Sequence, residues 1–133
     1  KYIKKKGLLE RVLLIPAMTH RDLLQITSSA DVGLCLVRSH GLSNHYALPN
    51  KLFEYALAGI PVLGSALPNI KKYIIPYNLG WCVEAGNLSK QIQLIEDYQR
   101  SRRKGLIDRR NIRDLFSWES QKKGFYNFVL KNE

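Results

Sequence analysis

Apolar positions along the chain gather into short runs separated by turn residues, and the runs alternate between strand-like and helix-like spacing. Arg11 to Ile15 is β-branched and leucine-rich and is closed by Pro16, which predicts a buried strand. Asp31 to Val37 carries Val32, Leu34, Cys35, Leu36 and Val37 almost without interruption, the pattern of a parallel strand covered on both faces. Ile60 to Leu63, entered through Pro61 and left through Gly64 and Ser65, predicts a third strand, and Gly80 to Val83 a fourth. The stretches between them are helical. Thr19 to Asp22 has the form of a capping box, with aspartate in the glutamate position, and opens a helix that turns Leu23, Leu24 and Ile26 inward and ends at Ser28 and Ser29. Pro49 suits a first helical turn, Lys51 to Ala58 is the helix, and Gly59 is its C-terminal cap. Asn69 is expected to cap a short helix through Ile74, and Ser89 to Arg103 to form a longer amphipathic one with Ile92, Leu94 and Ile95. Ser117 caps a last helix that buries Phe125, Phe128 and Val129.

Strands alternating with helices over short connections predict an α/β fold: a Rossmann-like parallel sheet flanked by helices, with right-handed crossovers. The 133 residues, 45% of them hydrophobic, suit one domain with a real core. At the start, Lys1 to Lys6 reads as the tail of a helix, with cations at its C-terminus and Gly7 as the stop. A domain seldom opens on the end of an element, so the chain is expected to be a piece of a longer one. No run approaches the roughly 18 consecutive apolar residues of a membrane-spanning helix. Cys35 and Cys82 are too few for a disulfide framework and both fall in apolar runs, which predicts reduced, buried thiols in a cytoplasmic protein.

Charge changes the picture. Lysine and arginine total 21 against 11 acids, a net charge of +10. One cluster is Lys1, Lys4, Lys5 and Lys6; the other is Arg100, Arg102, Arg103, Lys104, Arg109, Arg110 and Arg113. Two readings stand beside each other: a solvated helical face, or peripheral attachment to an anionic membrane. Nucleic acid is disfavoured, because no aromatic residue is interleaved between Arg100 and Arg113.

In open α/β sheets, ligands bind beyond the carboxyl ends of the strands. The polar stretch Arg38 to Leu48 follows an apolar strand and ends at a helix N-terminus, where free backbone N–H groups and the helix dipole favour an anion, and Ser43 and Asn44 add side-chain donors. The helix that follows holds one acid, Glu54, among core-forming residues, on the face it shares with Asn50 and Lys51. Glu54 is either half of an exposed pair with Lys51 or an acceptor for the vicinal hydroxyls of a ribose. His20 reads as a surface residue, and the spacing of His40, His45 and Asp31 matches no metal-ligand pattern.

The segment Ser43 to Pro68, SNHYALPNKLFEYALAGIPVLGSALP, resembles the donor-binding motif of GT-B glycosyltransferases of glycosyltransferase family 4, the group 1 enzymes. The upstream stretch RVLLIPAMTHRDLLQITSSADVGLCLV and the closing FSWES and FYNFV are similar to that family's pattern as well. The resemblance implies an incomplete C-terminal half of a GT-B fold. Residues 1–133 would form a C-terminal nucleotide-sugar-binding domain, truncated at its N-terminal side and lacking the acceptor domain. It implies transfer of a sugar from a nucleotide-sugar to a polysaccharide or glycolipid acceptor, in the cytoplasm or at the inner face of the membrane. The donor would be substrate, with no cofactor and no protein-bound metal, and the chain alone would be inactive.

On the same resemblance Glu54 matches the acid that binds the ribose. Ala47, Leu48 and Pro49 match the loop approaching the diphosphate and sugar, and Asn50 and Lys51 match polar positions beside the phosphates. Pro16, Ala17 and Met18 match the turn that borders the nucleobase. The family often carries a second acid eight residues before the ribose acid; Tyr46 stands there in this chain. The competing expectations are a non-catalytic basic module that docks on anionic membrane or nucleic acid, and a sugar-nucleotide epimerase of GT-B shape.

Overall fold

The computed structural model describes residues 1–101, 107 and 109–130, the side chain of Arg109 excepted. The chain opens on helix α1 (Tyr2–Lys5), which stops at Gly7 with φ +65. Helix α2 (His20–Thr27) follows, capped by Thr19, whose Oγ1 accepts from the Asp22 amide at 3.2 Å and donates to the Asp22 carboxylate at 2.7 Å. Strand β1 (Gly33–Cys35) leads through the short helix α3 (Leu42–His45) into helix α4 (Asn50–Ala58). Strand β2 (Val62–Ser65), helix α5 (Pro68–Ile74), strand β3 (Gly80–Val83) and helix α6 (Leu88–Ser101) come next. Helices α7 (Arg109–Phe116) and α8 (Trp118–Leu130) close the chain.

The three strands form one parallel sheet in the order β1-β2-β3, so the alternation of periods was a sound guide to fold class. Gly33 pairs with Val62 and Val62 with Gly80; Cys35 pairs with Gly64 and Gly64 with Cys82. These residues share the face on which α4 and α5 pack, and the core of Cys35, Leu52, Ala56, Val62, Ile70, Ile74 and Leu79 lies there. Glycine suits two close approaches of α4 and α5 to the sheet: the Tyr55 ring lies on Gly33, and Ile70 and Ile74 lie over Gly64. Gly80 adopts φ +143 against the Val62 backbone, a combination no other residue accommodates. Ile107 and Ile112 of the basic C-terminal region are also buried in this core, and Phe116 joins Phe53, Tyr73 and Tyr77 in an aromatic cluster with centroids 5.0–5.8 Å from its own.

Several expectations fail. Arg11 to Ile15 is not a strand: the amides of Arg11 and Val12 turn back to the Leu8 carbonyl, no ladder forms, and Leu13 and Leu14 are 82% and 77% exposed. Apolar residues make a strand only where a neighbouring strand accepts their hydrogen bonds, and among the described residues β1 pairs on one side alone. Leu34 is 46% exposed, so β1 is covered on one face and not on both. In α2 only Leu24 of the three inward residues is half-buried, while Leu23 and Ile26 are exposed. In α6 the buried residue is Gln91, whose amide reaches the carbonyls of Glu84 and Ala85, whereas Ile92 is exposed. Phe125, Phe128 and Val129 of α8 are exposed because that helix packs chiefly on α7. Asn69 sits inside α5, after the cap Leu67, and reaches away from its helix.

Of the basic clusters, Lys1, Lys4, Lys5 and Lys6 are exposed, as are Arg110 and Arg113 on α7. Arg100 pairs with Glu96 at 3.5 Å. Arg102, Arg103 and Lys104 lie outside the described residues, so the expected end of the long helix at Arg103 does too. Among the described residues no helix is long and apolar enough to cross a membrane.

Candidate functional site

The connection from β1 to α4 is held at three points. Ser65, fully buried at the carboxyl end of β2, accepts a 2.7 Å hydrogen bond from the Val37 amide, which fixes where the chain leaves the sheet. Ser39 Oγ meets His45 Nδ1 at 3.2 Å across the loop. Asn69 of α5 donates from Nδ2 to the Tyr46 carbonyl at 2.6 Å. The stretch expected to be an open loop therefore contains the turn of helix α3 and is pinned to the neighbouring strand and helix.

From that anchored connection the chain enters α4 through Pro49, whose φ of −68 and ψ of 136 are extended and whose side chain caps nothing. The first amides of the helix have no intrahelical acceptor, and the dipole adds partial positive charge. Ser43, Asn44, Tyr46, Ala47, Leu48, Pro49, Asn50 and Lys51 thus follow one another along α3, the connection and the first turn of α4. Ser43, Asn44 and Asn50 are exposed; Ala47, Leu48, Pro49 and Lys51 are half-buried. Tyr46 is exposed and packs edge-on against His45, with centroids 4.8 Å apart.

Glu54 lies one turn further along α4, half-buried, with its side chain 31% exposed. Among the described residues its carboxylate lies not against Lys51 but against His20, the first residue of α2, with Nε2 3.7 Å from Oε1. Lys51 instead bears on Cys35, whose thiol burial pushes up and the lysine charge pulls back. Helical spacing alone made Lys51 the obvious partner; the approach of α2 to α4 decides otherwise.

Pro16 and Ala17 are exposed and Met18 is half-buried, in the extended approach to the Thr19 cap. They end two residues before His20, so the packing of α2 on α4 brings that turn toward Glu54 from far away in the sequence. Between the two helices runs a groove of about 470 Å³ lined in part by His20, Arg21, Leu24 and Leu57. The site thus presents one carboxylate together with Lys51 and the uncapped amides that open α4, while the groove lies further along, at Leu57 and Ala58 of that helix. That combination can grip a neutral diol and an anion side by side.

Neither cysteine is placed for nucleophilic work. Burial raises both thiols, Cys82 to about 11, and a protonated thiol is a poor nucleophile. Cys35 and Cys82 sit in one register row with Gly64 between them, two strand spacings apart, beyond disulfide reach. Among the described residues no three His, Cys, Asp or Glu side chains gather where a metal ion could sit.

Three contributors were not legible as such. His20 reads as a surface residue and is one, 68% exposed, but its contact with Glu54 does not show in the sequence; Asn69 reads as a cap, and Ser65 reads as a strand exit. The only hint for Ser65 is a small hydroxyl at the end of an apolar run, since such a residue buried at a strand end must find a partner.

No protein-family model and no curated protein matches the chain. Among solved structures it is similar to the sucrose-phosphate synthase (tll1590) from Thermosynechococcus elongatus, with a TM-score of 0.76 and 20% sequence identity. The likeness covers 99% of this chain and 33% of that one, so the chain spans about a third of the synthase. That synthase is a GT-B glycosyltransferase, and this chain has the α/β, Rossmann-like architecture of part of a GT-B fold.

Proposed function

We propose that the chain is the nucleotide-sugar-binding part of a glycosyltransferase of the family 4 type, whose sugar passes to a polysaccharide or glycolipid acceptor held by a separate domain. Glu54 accepts hydrogen bonds from the two ribose hydroxyls. The amides that open α4, with Asn50 and Lys51, receive the diphosphate, and the connection from Ser43 through Pro49 borders the sugar. Pro16, Ala17 and Met18 line the base. The donor is substrate and no cofactor is invoked; charge on the departing nucleotide is met by the helix dipole and by cations. The chain by itself binds but does not transfer, and the intact protein works in the cytoplasm or at the inner membrane face.

The observation that supports this most is the setting of Glu54. It is half-buried on α4, beyond the anchored β1 connection, and faces the start of α2 in a fold shared with a sugar transferase. An exposed surface pair would contribute roughly 0–1 kcal/mol.

Calorimetric titration with nucleoside diphosphates tests the proposal. At least one should saturate the wild-type chain, and Glu54→Ala should bind it about 10- to 100-fold more weakly, as loss of a charged hydrogen-bond acceptor predicts. The matching 2′,3′-dideoxynucleotide should lose a similar factor on the wild type and nothing further on Glu54→Ala, which assigns the contact to the ribose. Equal binding by wild type and Glu54→Ala overturns the ribose assignment.

A further inference from the structure

We propose that the cleft between β3 and α6 is a second ligand site, for a single neutral sugar ring. It goes beyond the donor site and does not depend on it. The cleft starts at the amino end of β3, whereas the donor connection leaves the carboxyl end of β1. It also lies on the other side of the sheet: Trp81 shares its face with Leu34 and Leu63, while α4 packs over Gly33 and Cys35.

The cleft encloses about 290 Å³ and is lined by Asn78, Trp81, Leu94, Asp97, Tyr98 and Ser101 around Gly80. That is the small end of ligand-pocket sizes, about 300–1,000 Å³, and suits one ring rather than a chain of them. Trp81 and Tyr98 stand 5.2 Å apart with their planes at 65°, which makes an angled aromatic wall. The electron-rich face of such a ring attracts the polarised C–H groups on the apolar side of a pyranose.

Charge selects among the remaining ligands. Asp97 is exposed at the cleft and has no cation within ion-pair distance among the described residues, since nearby Arg100 is taken by Glu96 at 3.5 Å. A carboxylate at the cleft repels phosphates and carboxylic acids. A net charge of +10 opposes the approach of a small cation. A neutral polyol meets neither penalty, and its vicinal hydroxyls can donate to both Asp97 oxygens. Asn78 offers both a donor and an acceptor, and it is the one non-glycine at positive φ among the described residues, at +52. The Ser101 hydroxyl already donates to the Tyr98 carbonyl at 2.8 Å, which leaves it free to accept.

Saturation-transfer NMR on the intact chain with the methyl glycosides of glucose, galactose, mannose and N-acetylglucosamine tests this, with tetramethylammonium and inorganic phosphate as charged probes. At least one glycoside should bind saturably in the millimolar range. Asp97→Ala should weaken it about tenfold or more, as should Tyr98→Leu, which keeps apolar bulk and removes the ring. Circular dichroism confirms that each variant is folded, and nucleoside-diphosphate binding serves as the separate readout of the donor site, expected to be unchanged in Asp97→Ala. The proposal is overturned if no glycoside saturates, if tetramethylammonium or phosphate is the better ligand of this cleft, or if Asp97→Ala binds the glycoside as wild type does.

Discussion

The two faces of the sheet are covered to different extents. On one, Gly33, Gly64 and Gly80 remove side chains so that Tyr55, Ile70, Ile74 and the Val62 backbone close in, and almost everything behind them is sealed. On the other, Leu63, Ser65 and Val83 are buried as well, but Trp81 is only half-buried against Tyr98 and Leu34 faces outward. Hydrophobicity is therefore only a licence to be buried; a helix near enough to touch is what buries a residue. The sealed face holds α4 against the sheet and with it Glu54. The looser face leaves a cleft.

The sharpest way to break this contrast is Gly80→Val. A β-branched residue at φ +143 against the Val62 backbone should cost more than about 4 kcal/mol, and circular dichroism should find the variant unfolded. Ile74→Ala on the same face should lower urea-unfolding stability by about 2–5 kcal/mol, since its side chain is fully buried over Gly64. Ser65→Ala should cost about 1–3 kcal/mol by leaving the Val37 amide without its acceptor, and hydrogen exchange should report faster opening of that amide.

A smaller, pH-dependent effect belongs to Cys82, also on the sealed face. Burial raises its pKa from 9.0 to about 11, with Lys71 opposing and Cys35 adding to the shift, so the folded chain holds the thiol proton more tightly than the unfolded one. That contribution is complete below about pH 9 and is lost as pH rises toward 11, so stability should fall across this window and iodoacetamide should alkylate Cys82 slowly at pH 8. Leu34→Ser, on the open face, should be smallest of all, within about 0.5 kcal/mol of wild type in the same urea assay. A large loss there would show that the faces do not differ.

Local signals wrote much of the fold plainly. The Thr19 cap, the Gly59 cap with φ 76, the strand Gly80–Val83 and, two residues later than its expected start at Ile60, the strand Val62–Ser65 follow from residues acting on their immediate neighbours. The failures share a cause. Arg11–Ile15 and the aromatic stripe of α8 carry the right composition for burial, yet a pattern within one segment says nothing about whether a second segment arrives to cover it. The donor candidates show the same division. Ser43 through Glu54 could be picked out because they are contiguous, whereas His20, Ser65 and Asn69 act on them from other elements.

What the amino-acid sequence determined by itself was the order and type of most elements, the parallel α/β class and a compact set of polar candidates around α4. Caps, turns and side-chain period are short-range effects, set within a few residues. Only the tertiary structure decided that Glu54 meets His20 rather than Lys51, that Ser65 anchors the β1 exit, and which sheet face is sealed. Those outcomes depend on distances between segments far apart in the chain, and only folding brings them within bonding reach.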